Sequence, residues 1–380
     1  MGWAKCWLIC LGAMLACDPQ GGGTYATAGE SASAGSTGEA STGEAATGET
    51  SSDAPTTSGG SGSELGCADV RWTHDVAKFS SIRDLVVDAR GHVRATESEP
   101  DLFRVLDLDP LGVEVAPLEV ATADGGVQWG GVDGEGNVVL RVDENGAQFP
   151  RDWLRKYSVE GALLWEVEFA STTDGFVLGA PVPGPDGSVV VTRAGSIVLL
   201  DAAGSVVWKQ PNPDFMQAFA RNSAGVTVAV VLSTRRVRSL GPDGALLWEV
   251  EWGQEALQDR FLAVDAAGGV VVGETLHGLA RFSGDGTLEW EKSEAEVGVR
   301  IDGLAMNEAG QVAVLGDPDE PSPSVVVRLG PDGAEVGRRA CAQLTGERVA
   351  IDGAGQVTVA GYDFLSGNGQ YDWWVVAFAE

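Results

Sequence analysis

The sequence predicts an all-β fold: a single seven-bladed β-propeller of four-stranded blades, with an N-terminal strand closing the last blade. Three observations predict it. Glycine is abundant, 53 of 380 residues, and runs of Ala, Leu, Lys and Glu at helical spacing are scarce, which favours a turn-rich β architecture. An apolar stretch, a polar turn ending in Gly and a second apolar stretch recur seven times. A second turn signature, ending in Gly-x-x-x-Trp in its best copies, alternates with the first.

The chain opens with a segment that does not belong to this pattern. Residues 1–16 carry one positive charge, Lys5, and then a short apolar run ending in small and apolar side chains. The run is too short to span a bilayer and fits the apolar region of an export signal. It stops at Cys17, and Leu15-Ala16-Cys17 resembles a bacterial lipobox, with Met14 and Leu15 where the usual pattern has Leu and a small residue. That resemblance implies cleavage before Cys17 and lipidation of its thiol; ordinary signal cleavage, leaving a secreted chain, is the other reading. Residues 17–63 form a linker rich in Ser, Thr, Gly and Glu, with three copies of a Thr-Gly-Glu pentapeptide between Ser36 and Thr50. No Lys or Arg occurs from Asp18 to Val70, and Tyr25 is the only aromatic there. Such a composition cannot offset the entropy of folding, so a disordered, self-repelling stalk is expected. Residues 64–380 are assigned to the propeller.

In that region the first signature has its turn glycines at Gly91, Gly136, Gly187, Gly225, Gly268, Gly310 and Gly355, spaced 38–51 residues apart. Asp or Asn opens most of these turns, Gly supplies the φ > 0 position and β-branched residues follow, as in tight hairpins. The second signature includes Gly161/Trp165, Gly204/Trp208, Gly244/Trp248 and Gly286/Trp290, with degenerate copies at Gly112/Ala116 and Gly333/Gly337. Two hairpins per unit make four strands, a to d, and a period of about 40–45 residues is that of a propeller. The chain ends at what should be strand c of blade 7. The missing strand d lies at the other end, where Trp72 precedes Gly91 by 19 residues, within the 17–22 of the other units. Closing the ring in this way removes the edges of an open sheet.

The repeated Gly and Trp resemble the tryptophan-docking motif of quinoprotein-like (PQQ-like repeat) propellers, a group that includes bacterial lipoproteins. The resemblance implies that Trp72, Trp165, Trp208, Trp248 and Trp290 pack between neighbouring blades. A large aromatic recurring in register is core before it is a ligand platform. Members that use the quinone also carry vicinal cysteines and calcium-ligating acids. Neither can be matched here, so no cofactor is expected.

The formal charge of −30 repels phosphate backbones, so nucleic acid is not an expected partner. His74, His92 and His277 are too scattered for a zinc cluster. No Gly-x-Ser-x-Gly elbow is present, the Asp-rich turns lack EF-hand spacing, and no metal site or catalytic residue can be assigned. Cys67 opens the closing strand and Cys341 follows strand d of blade 6, on adjacent blades. Export permits a disulfide between them, but the two can also lie at opposite strand ends as buried free thiols.

The remaining lead is loop length. The b–c connections of blades 2, 6 and 7 read as long, spanning residues 141–156, 316–324 and 361–374. Phe149, Arg151 and Trp153 fall in the first, and Tyr362, Phe364, Tyr371 and Trp373 in the last. Aromatics on long loops of a rigid scaffold point to a recognition surface, or else they cap the blades. The expected protein is a monomeric, lipid-anchored envelope protein without enzymatic activity, binding another envelope protein or an extracellular ligand. One quinoprotein-like lipoprotein assists outer-membrane protein assembly, and the resemblance makes such a role the leading expectation. The alternative is a hydrolase, lyase or oxidoreductase with its site in the central channel.

Overall fold

In a computed structural model, the described residues are Cys67 and most of 69–378; residues 1–66, 68, 77–81, 89, 100–101, 116, 122–125, 145–150, 171–179, 194, 212–215, 232–233, 254–259, 319–323, 364–371 and 379–380 lie outside the description. Seven separate four-stranded antiparallel sheets follow one another in sequence. Blade 1 consists of Asp84–Val87, Val93–Glu99, Leu102–Leu108 and Leu118–Ala121, its strands a to d. Blades 2 to 5 span residues 126–170, 182–211, 216–251 and 260–293, and blade 6 is Arg300–Met306, Val312–Asp317, Val325–Leu329 and Glu335–Ala340. Blade 7 takes Leu344–Ile351, Val357–Asp363 and Asp372–Phe378 from the C-terminus and Val70–Asp75 from the start of the propeller.

The closing strand pairs antiparallel with strand c of blade 7, Trp72 opposite Ala377 and His74 opposite Val375. The expected seven blades and their closure are thus the observed ones. Neighbouring a strands touch one another around the centre, so strand a is the innermost and strand d the outermost.

All thirteen turn glycines named from the sequence have positive φ, between 74° and 90°. In the a–b turn of blade 5, Asp265 Oδ1 accepts hydrogen bonds from the amides of Ala267 at 2.9 Å and Gly269 at 2.7 Å. This is the local reason that Asp or Asn opens most of these turns.

The core lies between blades rather than within one layer. Val139 and Leu154 of blade 2 pack with Val189, Val191, Val198 and Leu200 of blade 3. Strands b and c of blade 3, Val189–Arg193 and Ser196–Leu200, are buried at every position. Both faces of those strands meet apolar neighbours, which explains their near-continuous Val, Ile and Leu runs. Outer strands instead alternate, as Val206–Pro211 shows.

Candidate binding surface

The tryptophans occupy the junctions between blades. Trp165 of blade 2 donates its indole N–H to the Ala202 carbonyl of blade 3 at 2.8 Å. Trp208, Trp248 and Trp290 repeat the bond to the carbonyls of Pro242, Gly284 and Pro331 at 2.9–3.0 Å. Trp72, on the closing strand, bonds the Pro110 carbonyl of blade 1 at 3.2 Å. Each ring lies on the next blade's c–d turn glycine. A Cβ on Gly204, Gly244, Gly286 or Gly333 would stand 2.8–2.9 Å from the neighbouring indole, and one on Gly112 would stand 2.5 Å from Trp72. These are packing groups, and Trp72 continues the chain of contacts across the ring closure.

Two junctions depart from the pattern. In blade 1 the sequence register puts Ala116 at the docking position. The structure starts strand d at Leu118, and Leu118 stands over Gly161. The turn itself has the ordinary length, and Leu108 opposite Glu114 with Val105 opposite Leu118 keeps the expected register. This junction departs only in lacking a large side chain at the docking position. At the junction of blades 6 and 7, Gly337 lies opposite Arg328, the register position of Trp165 opposite Lys156 and Trp290 opposite Arg281. No c–d turn exists in blade 7 to receive an indole. There Cys67 and Cys341 meet as an isolated β-bridge and are joined by a disulfide, 274 residues apart in sequence. The strand-end separation that left free thiols open is therefore not found.

The expected aromatic loops are shorter than the spacing implies. Arg151 and Trp153 lie on strand c of blade 2, Arg151–Tyr157, whose alternating side chains continue the pairing beyond the expected loop end. Trp153 is half-buried, with the Arg155 guanidinium over its ring at 5.8 Å. Tyr362 and Trp373 are cross-strand partners in blade 7, their rings edge-on at 5.3 Å. Trp373 is buried among Ile82, Val76 and Val375, so it is core and not an exposed loop residue. Phe149, Phe364 and Tyr371 lie outside the described residues, as do Cys17 and the side chain of Arg151.

What the surface does expose is aliphatic. Leu163 and Leu164, Val206 and Val207, Leu246 and Leu247, Leu288, and Val336 are each 49–60% exposed. All lie at the beginning of strand d, next to the c–d turn, and blade 1 adds Leu111 in its c–d turn and Val115 just after it. Isolated exposed apolar residues need no account, but the two positions after each c–d turn together bare an aliphatic in six blades, the second of them in five, and form a belt around one rim. The signal was present in the sequence as the two aliphatics of Gly-Ala-Leu-Leu-Trp. It reads as core because apolar residues flanking a buried Trp normally are.

The channel side carries charge. Asp84 and Glu347 lie on the innermost strands of adjacent blades, and burial pushes both carboxyls above their ordinary range against the pull of Arg348. Arg348 also bonds the Arg83 carbonyl at 2.8 Å, tying blade 7 to blade 1. None of the three histidines is on strand a. His74 is on the outermost closing strand, 3.7 Å from Glu114. His92 bonds Asp107 at 2.8 Å in blade 1, and His277 lies in the b–c turn of blade 5 against Trp252.

The chain is thus a seven-bladed β-propeller. Residues 150–317, from the start of strand c in blade 2 to the end of strand b in blade 6, match the family described as outer membrane protein assembly factor BamB. No curated protein matches the sequence. Among solved structures, a streptogramin B lyase is 14% identical with a TM-score of 0.56, covering 81% of this chain and 98% of that one. U3-55K is 12% identical with a TM-score of 0.58, covering 80% and 98%. The virginiamycin B lyase from Staphylococcus aureus is 12% identical with a TM-score of 0.56, covering 81% and 98%. At such identities the likeness is one of fold.

Proposed function

We propose that this protein is a cell-envelope scaffold that holds a partner protein against the rim of its propeller and is tethered through a lipid on Cys17. The observation that carries the reading is the belt of exposed aliphatic residues repeated at the start of the outermost strands. Apolar surface bared in register is characteristic of a surface that another molecule covers. The match to a family described as an outer membrane protein assembly factor supports both the envelope and the scaffold role. Residues 17–63 would then act as the stalk between lipid and propeller.

The enzymatic alternative draws on Asp84 and Glu347, since carboxyls whose affinity for a proton is raised by burial suit acid catalysis. Against it, the histidines sit away from strand a. Catalysis in the channel would need a further group that the described residues do not bring to these two.

Pull-down from envelope extracts tests the scaffold. Leu163→Ser with Leu164→Ser, combined with Leu246→Ser and Leu247→Ser, should change stability by only about 0.5 kcal/mol per site, as exposed positions do. The same variant should lose partner recovery by tenfold or more; undiminished recovery would sink the reading. The tether has its own measurement. Metabolic labelling with a radioactive fatty acid should mark the wild-type chain and leave the Cys17→Ala chain unlabelled, and equal labelling would exclude Cys17 as the anchor.

A further inference from the structure

We infer that the cleft between blades 6 and 7 is a binding site for an aromatic side chain flanked by carboxylates, presented by an acidic segment of a partner polypeptide. The cleft lies where the chain of docked tryptophans is interrupted. It holds a cavity of about 70 Å³, and Gly337 borders it at the register position of the missing indole. A Cβ on Gly337 would meet nothing within 4 Å. Val326, Val357 and Phe378, all buried, line the cleft together with the exposed Val336. Part of this wall is also what an indole meets elsewhere in the ring. Trp248 packs with Val270 and Phe282, at the strand positions of Val357 and Phe378, although here no turn carbonyl is supplied for the indole N–H.

The charge comes from Arg328, which also lines the cleft. Its cationic counterparts, in blades 2 and 5, are neutralised, while blades 3 and 4 have Leu199 and Ser239 there. Lys156 bonds Asp133 at 2.8 Å and the Gly187 carbonyl of the next blade at 2.7 Å. Arg281 bonds Asp265 at 2.6 Å and the Gly310 carbonyl at 3.1 Å. In blade 6 the acid is replaced by Asn307, whose amide turns instead to the Asp352 carbonyl and Gln311. Among the described residues Arg328 has no ionic or hydrogen-bond partner, although its guanidinium reaches the Gly355 turn of blade 7. Its neighbours are engaged, Arg338 with Glu335 and Arg339 with Asp69.

A guanidinium without a counter-ion is unusual in a chain of net charge −30. Beside an apolar slot it selects an anion attached to a flat hydrophobic group. A polypeptide fits better than a small acid because the cleft opens beside strand d of blade 6, a free sheet edge along which an extended segment can lie. The site shares only Val336 with the aliphatic belt, and the partner it names presupposes the scaffold reading.

Fluorescence polarisation with purified full-length protein and a fluorescein-labelled Gly-Glu-Trp-Glu-Gly peptide tests it. The wild type should bind this peptide at least tenfold more tightly than versions with Ala for Trp or Gln for both Glu. Gly337→Trp, which fills the slot from within, should abolish binding while leaving the melting temperature equal or higher. Arg328→Gln should weaken binding roughly tenfold to a hundredfold, the range for a hydrogen bond to a charged group. It also serves as the test if Gly337→Trp fails to fold. No binding by the wild type, or affinity untouched by both substitutions, overturns the site. Indole-3-acetate binding as tightly as the peptide would overturn the polypeptide assignment. Because the assay uses purified protein, its failure leaves partner capture by the belt standing, and failure of that capture leaves peptide binding measurable.

Discussion

Replacing Cys67 and Cys341 together by serine lowers the unfolding free energy by about 3–5 kcal/mol, the range for a disulfide that closes a long loop. The bond spans 274 residues of sequence, nearly the whole ring, so it removes much of the freedom of the unfolded chain. Its position sharpens the effect. Five junctions hold a docked tryptophan and a sixth holds Leu118, while the junction of blades 6 and 7 holds the disulfide. The closing strand enters the ring beside that bond, pairing from Val70 to Asp75 with the last C-terminal strand. Without the disulfide, seven backbone-paired sheets remain but the seam loses its covalent latch. Calorimetry should show the melting temperature falling by roughly 10 °C. Reducing the wild type with a thiol should give the same shift, and reduction should leave the double serine variant unchanged. Equal melting of oxidised and reduced wild type would show that the strand pairing and Trp72 close the ring unaided.

Much of this architecture was legible in the sequence, for a physical reason. A propeller repeats one solution, so one turn glycine is tested seven times and the other six. A position that must hold φ > 0 in every blade stands out even without a second sequence. Ring closure could be read from Trp72 because its distance to Gly91 obeys the same spacing as the internal blades. Function was less legible. Loop lengths were judged from the gaps between turn signatures, but strand pairing extends until the side chains stop alternating. Trp373 therefore belongs to the core, and Trp153 to a strand. The aliphatic belt was hidden by the opposite inference, because Leu163 and Leu164 are apolar, adjacent to the half-buried Trp165, and yet turned outward. Gly337 and Asn307 were harder still. Each is ordinary as a residue and acquires meaning only as an exception to a register that the structure supplies.

The register of the tryptophans makes a quantitative expectation that separates packing from backbone geometry. Trp208→Ala should cost about 3–5 kcal/mol, since it removes a nearly buried indole and leaves a void between blades. Gly244, the turn residue under that ring, has φ +80°. An alanine Cβ there would stand 2.8 Å from the indole. Gly244→Ala therefore combines a left-handed backbone penalty of about 1–2 kcal/mol with overpacking of about 1–3 kcal/mol. In the Trp208→Ala background the clash is gone and only the backbone part remains, so the two costs should fall short of their sum by roughly 1–3 kcal/mol. Gly195 supplies the control. Its φ is +77°, but a Cβ there meets nothing within 4 Å. Gly195→Ala should thus cost about 1–2 kcal/mol in either background, with no coupling to Trp208. Urea unfolding of the four proteins in each cycle measures both quantities. Additive costs at Gly244 would mean that glycine is required there by backbone conformation alone, and that the indole rests on the turn without constraining it.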